Sequence, residues 1–192
     1  MSASGLRPGD RAPDFSLPGT DSQTHELAPA GAPASSQIHE LAPAGAAATV
    51  VYWTCNHCPY ALAWEERMHQ ASRDYAERGV RFLAVNSNDA ERYPADSLDA
   101  MRERVGAEGG WPHPYLHDAD QSVARSFGAQ KTPDVFVLDA EGVVRYRGAP
   151  DSDYDDPSQN ASWLRGALDA VLAGREPDPS RTEPVGCSVK WK

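Results

Sequence analysis

The sequence predicts an α/β fold in which a central mixed β-sheet is flanked by helices. Three observations carry that prediction. An apolar run over residues 49–53 leads through Cys55-Asn56-His57-Cys58-Pro59 into a strongly periodic helix. A second apolar run, 80–85, follows that helix and has the composition of a buried parallel strand. Two further runs, 135–138 and 143–147, flank Asp139-Ala140-Glu141-Gly142 and read as a β-hairpin.

Taken in order, the chain opens with Ala12-Pro13-Asp14-Phe15-Ser16-Leu17-Pro18-Gly19, where Phe15 and Leu17 alternate with polar neighbours. This is the pattern of a short edge segment closed by a Pro-Gly turn. His25-Glu26-Leu27-Ala28-Pro29-Ala30-Gly31-Ala32 then recurs word for word as His39-Glu40-Leu41-Ala42-Pro43-Ala44-Gly45-Ala46. Two copies are too few for a solenoid, so 21–46 reads as a duplicated surface loop, with His25 and His39 as solvated loop histidines. Lengthening a loop is cheap, at about 0.6 kcal/mol per doubling.

After Cys58, Ala61, Trp64, Met68, Ala71 and Tyr75 step by three and four and form one buried stripe. Arg67 falls with the charged residues of the other faces, and Gly79 is the stop signal. The strand over 80–85 runs out into Asn86-Ser87-Asn88-Asp89, at the carboxyl end where α/β folds place ligands. Asp96 or Ser97 caps a second helix bearing Leu98, Met101 and Val105. A rigid Trp111-Pro112-His113-Pro114 connector enters a Tyr115-Leu116 strand, and Asp118 caps a third helix with Val123, Ala124 and Phe127 inside. Asp151, Asp153, Asp155 and Asp156 lack the glycine and the final glutamate of a calcium loop and read as a solvated acidic loop. A last helix buries Trp163, Leu164, Leu168, Val171 and Leu172. The whole chain, 1–192, reads as one domain ending in an extended tail over 174–192. Alternation in that tail puts Cys187, Val189 and Trp191 on one face.

Composition narrows the function. A net charge of −10 speaks against nucleic acid or an anionic membrane as partner, because no basic patch is available to neutralise phosphates. Three cysteines are too few for the disulfide framework of a small secreted domain, and no run approaches the roughly 20 apolar residues of a membrane span. The expected location is cytoplasmic, where a Cys-x-x-Cys is more often catalytic than structural.

The chemistry concentrates at Cys55 and Cys58. A strand that turns into a helix through Cys-x-x-Cys sets the first sulfur beside unpaired N–H groups and the positive end of the helix dipole. Both favour the thiolate, which is the nucleophile. Cys55 is expected to be the more exposed and more acidic thiol, Cys58 to close the disulfide, and His57 to lower the thiol pKa as a nearby donor. No cofactor or resident metal is expected. Half of a zinc site is an alternative reading of the same spacing, with Cys55, Cys58 and His57 in a non-catalytic metal carrier, but no second ligand pair accompanies it. Two inert core cysteines are the remaining alternative.

Together, Ala12-Pro13-Asp14-Phe15, Cys55-Asn56-His57-Cys58-Pro59-Tyr60, Tyr115-Leu116-His117-Asp118, Thr132-Pro133-Asp134 and a terminal Gly186-Cys187-Ser188-Val189-Lys190-Trp191 resemble a peroxiredoxin-like group of the alkyl hydroperoxide reductase/thiol-specific antioxidant superfamily. The likeness spans 13–192 apart from the duplicated loop. It implies a thioredoxin-like fold and a thiol–disulfide oxidoreductase acting on a protein or small-molecule disulfide, with a cellular reductant such as thioredoxin or glutathione. A thiol-dependent peroxidase acting on peroxide is the alternative it implies. By the same resemblance, Pro133 is a cis-proline lying against Cys55, and Thr132 offers its backbone to an incoming substrate. Cys187 belongs to a motif that accompanies the Cys-x-x-Cys and is either a buried hydrophobe or a third redox thiol. The chain departs from peroxiredoxins in one place. They carry Thr or Ser three residues before the peroxide-reactive cysteine, whereas Tyr52 precedes Cys55 and Cys55 precedes Cys58 at that distance.

Overall fold

A computed structural model describes residues 5–28 and 45–192. Its centre is a five-stranded sheet built on β3 (Ala48–Trp53), whose six residues are all buried. The earlier strands β1 (Phe15–Pro18) and β2 (Thr24–Leu27) form a separate antiparallel pair. β3 lies parallel to β4 (Val80–Asn86), and β4 lies parallel to β5 (Tyr115–His117). On its other side β3 runs antiparallel to β7 (Asp134–Asp139), which pairs with β8 (Val144–Gly148). The strand order is β5-β4-β3-β7-β8, a mixed sheet as the sequence predicts. A short β6 (Lys131–Thr132) stands outside it and pairs with β9 (Cys187–Ser188).

The two faces of β3 divide the core, as the period of two along a strand requires. Ala48, Val50 and Tyr52 pack with Met68, Ala71 and Tyr75 of α1 (Pro59–Ala76), Met101 of α2 (Leu98–Ala107), and Leu164 and Leu168 of α4 (Ser162–Leu172). Val51 and Trp53 face the other way, onto Phe15 and Leu17 of β1 and onto Val123, Ala124 and Phe127 of α3 (Ser122–Phe127). The five-residue apolar stripe of α1 is wholly buried. Trp53 also holds the sheet to α3 by a polar chain. Its Nε1 donates to Ser87 Oγ at 2.9 Å, Ser87 donates to Asp118 at 2.7 Å, and Asp118 accepts from the Ala124 N–H at 2.9 Å.

Four expectations need correction. Residues 24–27 are a strand rather than loop, and His25 is buried with its Nε2 2.9 Å from the Asp21 carboxylate. His39 and most of the second repeat copy lie outside the described residues. Arg67 is not on the surface of α1, and Asp151 is not solvated. They are 6% and 1% exposed and pair at 2.8 Å, and Asp151 also accepts from Trp64 Nε1 and the Ala161 N–H. Asn86, Ser87, Asn88 and Asp89 are all buried, so they work as scaffold rather than as an open ligand loop. The tail, irregular apart from the Arg181 bridge and β9, is docked on the body of the protein. Thr182 is held by Arg147 and Tyr146, and Val189 is buried.

Candidate active site

The turn after β3 and the first turn of α1 build the site. Cys58 is the residue before the helix, and Pro59 takes the first helical position, where a missing N–H costs nothing. Cys55 lies three residues earlier. Both sulfurs are buried, at 1% and 0% exposure, so the turn meets solvent through His57 and Pro59 but not through either cysteine. The Thr132–Pro133 peptide is cis, as the family resemblance implies, and presents Thr132 to both sulfurs. Thr132 Oγ1 is 3.7 Å from Cys55 Sγ, and the Thr132 carbonyl oxygen is 3.1 Å from Cys58 Sγ.

The two thiols shift each other's acidity in opposite directions. The hydrogen bond from Cys55 brings Cys58 down to about 4, helped by the Cys187 thiol, the Thr132 hydroxyl and the Ala61 N–H and opposed by burial. The same hydrogen bond pushes Cys55 well above the ordinary thiol range, with burial and the Asp96 carboxylate adding to it. The His57 N–H and the Thr132 hydroxyl oppose that rise. One contact favours the reverse placement of the proton. The Thr132 carbonyl can only accept, so a thiol on Cys58 satisfies it and leaves the charge on Cys55. The pair therefore titrates as a unit, with one proton released well below the usual thiol range and the other held above it. The expectation that Cys55 is the more exposed and more acidic thiol is not met. Neither sulfur is exposed, and the hydrogen bonding of the pair depresses Cys58.

Asp96 is the site residue that the sequence concealed. It is fully buried and accepts from the Asn56 N–H at 2.8 Å, Asn86 Nδ2 at 3.1 Å and Asn88 Nδ2 at 2.8 Å. Its fourth partner is His57 Nδ1, also at 2.8 Å. The His57 ring stacks on Tyr93. Ser97, not Asp96, caps α2. Asp96 thus fixes His57 and places a negative charge beside Cys55. Cys55, His57 and Asp96 offer ligand atoms within 4.8 Å of one another, a donor set a metal could use. However, His57 Nδ1 and Asp96 Oδ2 already bond each other, so an ion could take that pair only by breaking the contact.

Cys187 joins the site as well. It pairs with Thr132 in the β6–β9 ladder and packs with Cys55, Cys58, Ala61 and Tyr60. The edge of Thr132 that the resemblance assigns to substrate is occupied here by the chain's own tail. Val189, two residues on, is buried separately, and Trp191 packs on the α3 side of the sheet. Among the described residues, no helix is long and apolar enough to cross a membrane.

Comparison with known proteins identifies the fold and the family. The structure is similar to that of a hypothetical protein from Sinorhizobium meliloti 1021, with a TM-score of 0.84, 32% identity, and coverage of 98% of this chain and 97% of that one. Peroxidoxin BcpB from Mycobacterium tuberculosis shares the fold at a TM-score of 0.59 and 16% identity, over 88% of this chain and 97% of its own. A thiol:disulfide interchange protein DsbE from Tatumella citrea is 26% identical over 83 residues, 43% of this chain. That match spans 41% of the DsbE length. The fold is thioredoxin-like. The model of the AhpC/TSA family matches residues 8–147, and the chain belongs to that family.

Proposed function

We propose that this protein is a thiol–disulfide oxidoreductase that cycles Cys55 and Cys58 between dithiol and disulfide. The observation that carries the reading is the placement of two buried sulfurs at a helix N-terminus against the Thr132–Pro133 turn. Cys55 is the attacking thiolate in the arrangement where the Cys58 thiol donates to the Thr132 carbonyl, and Cys58 is the resolving thiol. His57, held by Asp96, modulates thiolate stability, and Thr132 with Pro133 flanks the reacting sulfurs. The substrate is a protein or small-molecule disulfide, and thioredoxin or glutathione returns the pair to the dithiol. The work is assigned to the cytoplasm, where a Cys-x-x-Cys begins each cycle reduced.

A second reading, thiol-dependent peroxidase, is favoured by one observation. Thr132 Oγ1 supplies beside Cys55 the hydroxyl that the position three residues earlier lacks, and the burial of both sulfurs suits a small oxidant. Peroxide would oxidise one cysteine to a sulfenic acid, which the other resolves. Rates with insulin disulfide and with hydrogen peroxide, measured side by side on the reduced protein, separate the two. Faster disulfide exchange, abolished by Cys55→Ser, is expected. Peroxide consumption without insulin reduction would replace the first reading by the second.

A further inference from the structure

The tail is held over the sulfurs by more than its two-residue pairing. Val189 N–H donates to Gln130 O at 3.1 Å, and Lys190 N–H donates to Asn88 Oδ1 at 2.8 Å. The Lys190 carbonyl accepts from the Asp89 N–H at 2.8 Å and from Gln121 Nε2 at 2.9 Å. Asn88 and Gln121 are 3% and 0% exposed, so the anchor is set into the body of the protein. Trp191 adds a cation–π contact with Arg125 at 4.6 Å. Gly186 lets the chain approach: its φ is +153°, and a Cβ there would overlap the Thr132 carbonyl. All of this delivers Cys187 to the sulfur cluster, with its thiol beside that of Cys58.

Burial then poses a problem. Cys55 and Cys58 are buried in the reduced protein, whereas Cys187 is partly exposed. We propose that Cys187 is a relay thiol that takes the disulfide from the Cys55–Cys58 pair at Cys58 and presents it to an external dithiol. The proposal rests on the Cys55–Cys58 cycle described above. Cys187 thiolate attacks Cys58 Sγ, a Cys58–Cys187 bond forms, and the Cys55–Cys58 bond breaks. The electron pair leaves on Cys55 Sγ, which takes up the proton that Cys187 gave to solvent. A dithiol reductant then attacks Cys187 Sγ and releases Cys58 as a thiol. Its second sulfur closes its own disulfide and frees Cys187. The reductant loses two electrons and the protein gains them.

The surroundings of Cys187 time this exchange. In the reduced protein its thiol is held up by burial and by Cys58, while Lys190 and Lys131 pull it down. Once Cys58 is in a disulfide, its hydrogen bond and charge are gone, and burial alone opposes the two lysines. Oxidation of the pair therefore prepares Cys187 to attack.

Disulfide mapping by mass spectrometry, after diamide oxidation and alkylation of the folded protein, tests the relay. Cys55→Ser is expected to form an intramolecular Cys58–Cys187 disulfide, and Cys58→Ser is expected to form no Cys55–Cys187 disulfide. Gly186→Ala should reduce the yield of Cys58–Cys187 by about tenfold or more while Cys55–Cys58 still forms, since Cα atoms beyond about 7 Å cannot be bridged without backbone movement. Two free thiols in oxidised Cys55→Ser, or an unchanged Cys58–Cys187 yield in Gly186→Ala with native near-UV dichroism, would overturn the relay. Absence of Cys55–Cys58 from the oxidised wild type would instead overturn the cycle on which it rests.

Discussion

Asp96 and His57 act on the sulfurs with opposite sign. The carboxylate beside Cys55 opposes the thiolate and the His57 N–H favours it, while the His57 imidazole is bonded to the carboxylate. A stabilised thiolate is a stabilised reduced form, which raises the potential of a dithiol–disulfide couple. The potential of the wild-type pair is expected between those of thioredoxin and DsbA, within about −270 to −120 mV. His57→Ala should lower it and Asp96→Asn should raise it, each by on the order of 30 mV, equivalent to about 1.4 kcal/mol. Redox titration against glutathione checks both, and two shifts of the same sign would defeat the account. Asp96 was legible in the sequence only as a candidate cap. Its true partners, Asn56 and His57, lie some forty positions away, and a polar contact at that separation leaves no periodic trace.

At the scale of elements, sequence periodicity located what is long and apolar. The helices α1, α2, α3 and α4 and the strands β3, β4, β7 and β8 stand where the apolar steps put them, because burial on one face enforces a period. The strands β2 and β6 went unread because residues 24–27 fell within the duplicated sequence and two residues at 131–132 carry too short a pattern. The same blindness hid the clamp between α1 and the segment before α4. Asp151 accepts from Trp64, Arg67 and the Ala161 N–H, and Arg67 also reaches the Asp153 and Tyr154 carbonyls. Read alone, Asp151 is one acid among four. Removing it leaves a buried guanidinium without its counter-charge, so Asp151→Ala should cost about 3–5 kcal/mol. A shift in the urea midpoint corresponding to less than about 1 kcal/mol would return the pair to the class of solvated surface bridges.

For the molecule as a whole, acid is the predicted weakness. Burial holds His69 at about 4 and His113 at about 3, with Glu66 pulling His69 up and Arg73 pulling both down, against an ordinary value of 6.5. Between the folded and unfolded values the unfolded chain binds the extra protons, so stability is complete above pH 6.5 and falls as pH drops toward 4. Each imidazole contributes at most about 1.4 kcal/mol per pH unit in that window. His69→Phe, which removes a ring whose Nε2 has no hydrogen-bond partner among the described residues, should flatten the curve. Urea unfolding from pH 7.5 to 4 measures the slope, and an equal slope in both proteins would clear His69.

The hydrogen bond from Trp53 to Ser87 also makes the redox state visible. The indole is fully buried at the end of β3, two residues before Cys55, and Ser87 keeps it from rotating. Two extended residues span at most about 7 Å. A disulfide near an indole accepts an excited electron and quenches its emission, whereas a pair of thiols quenches it far less. Closing the proposed Cys55–Cys58 bond is therefore expected to dim a blue-shifted tryptophan signal, and opening it to restore the light. If emission changes on oxidation of the wild type and not of Cys55→Ser, turnover of the proposed cycle can be followed without a label.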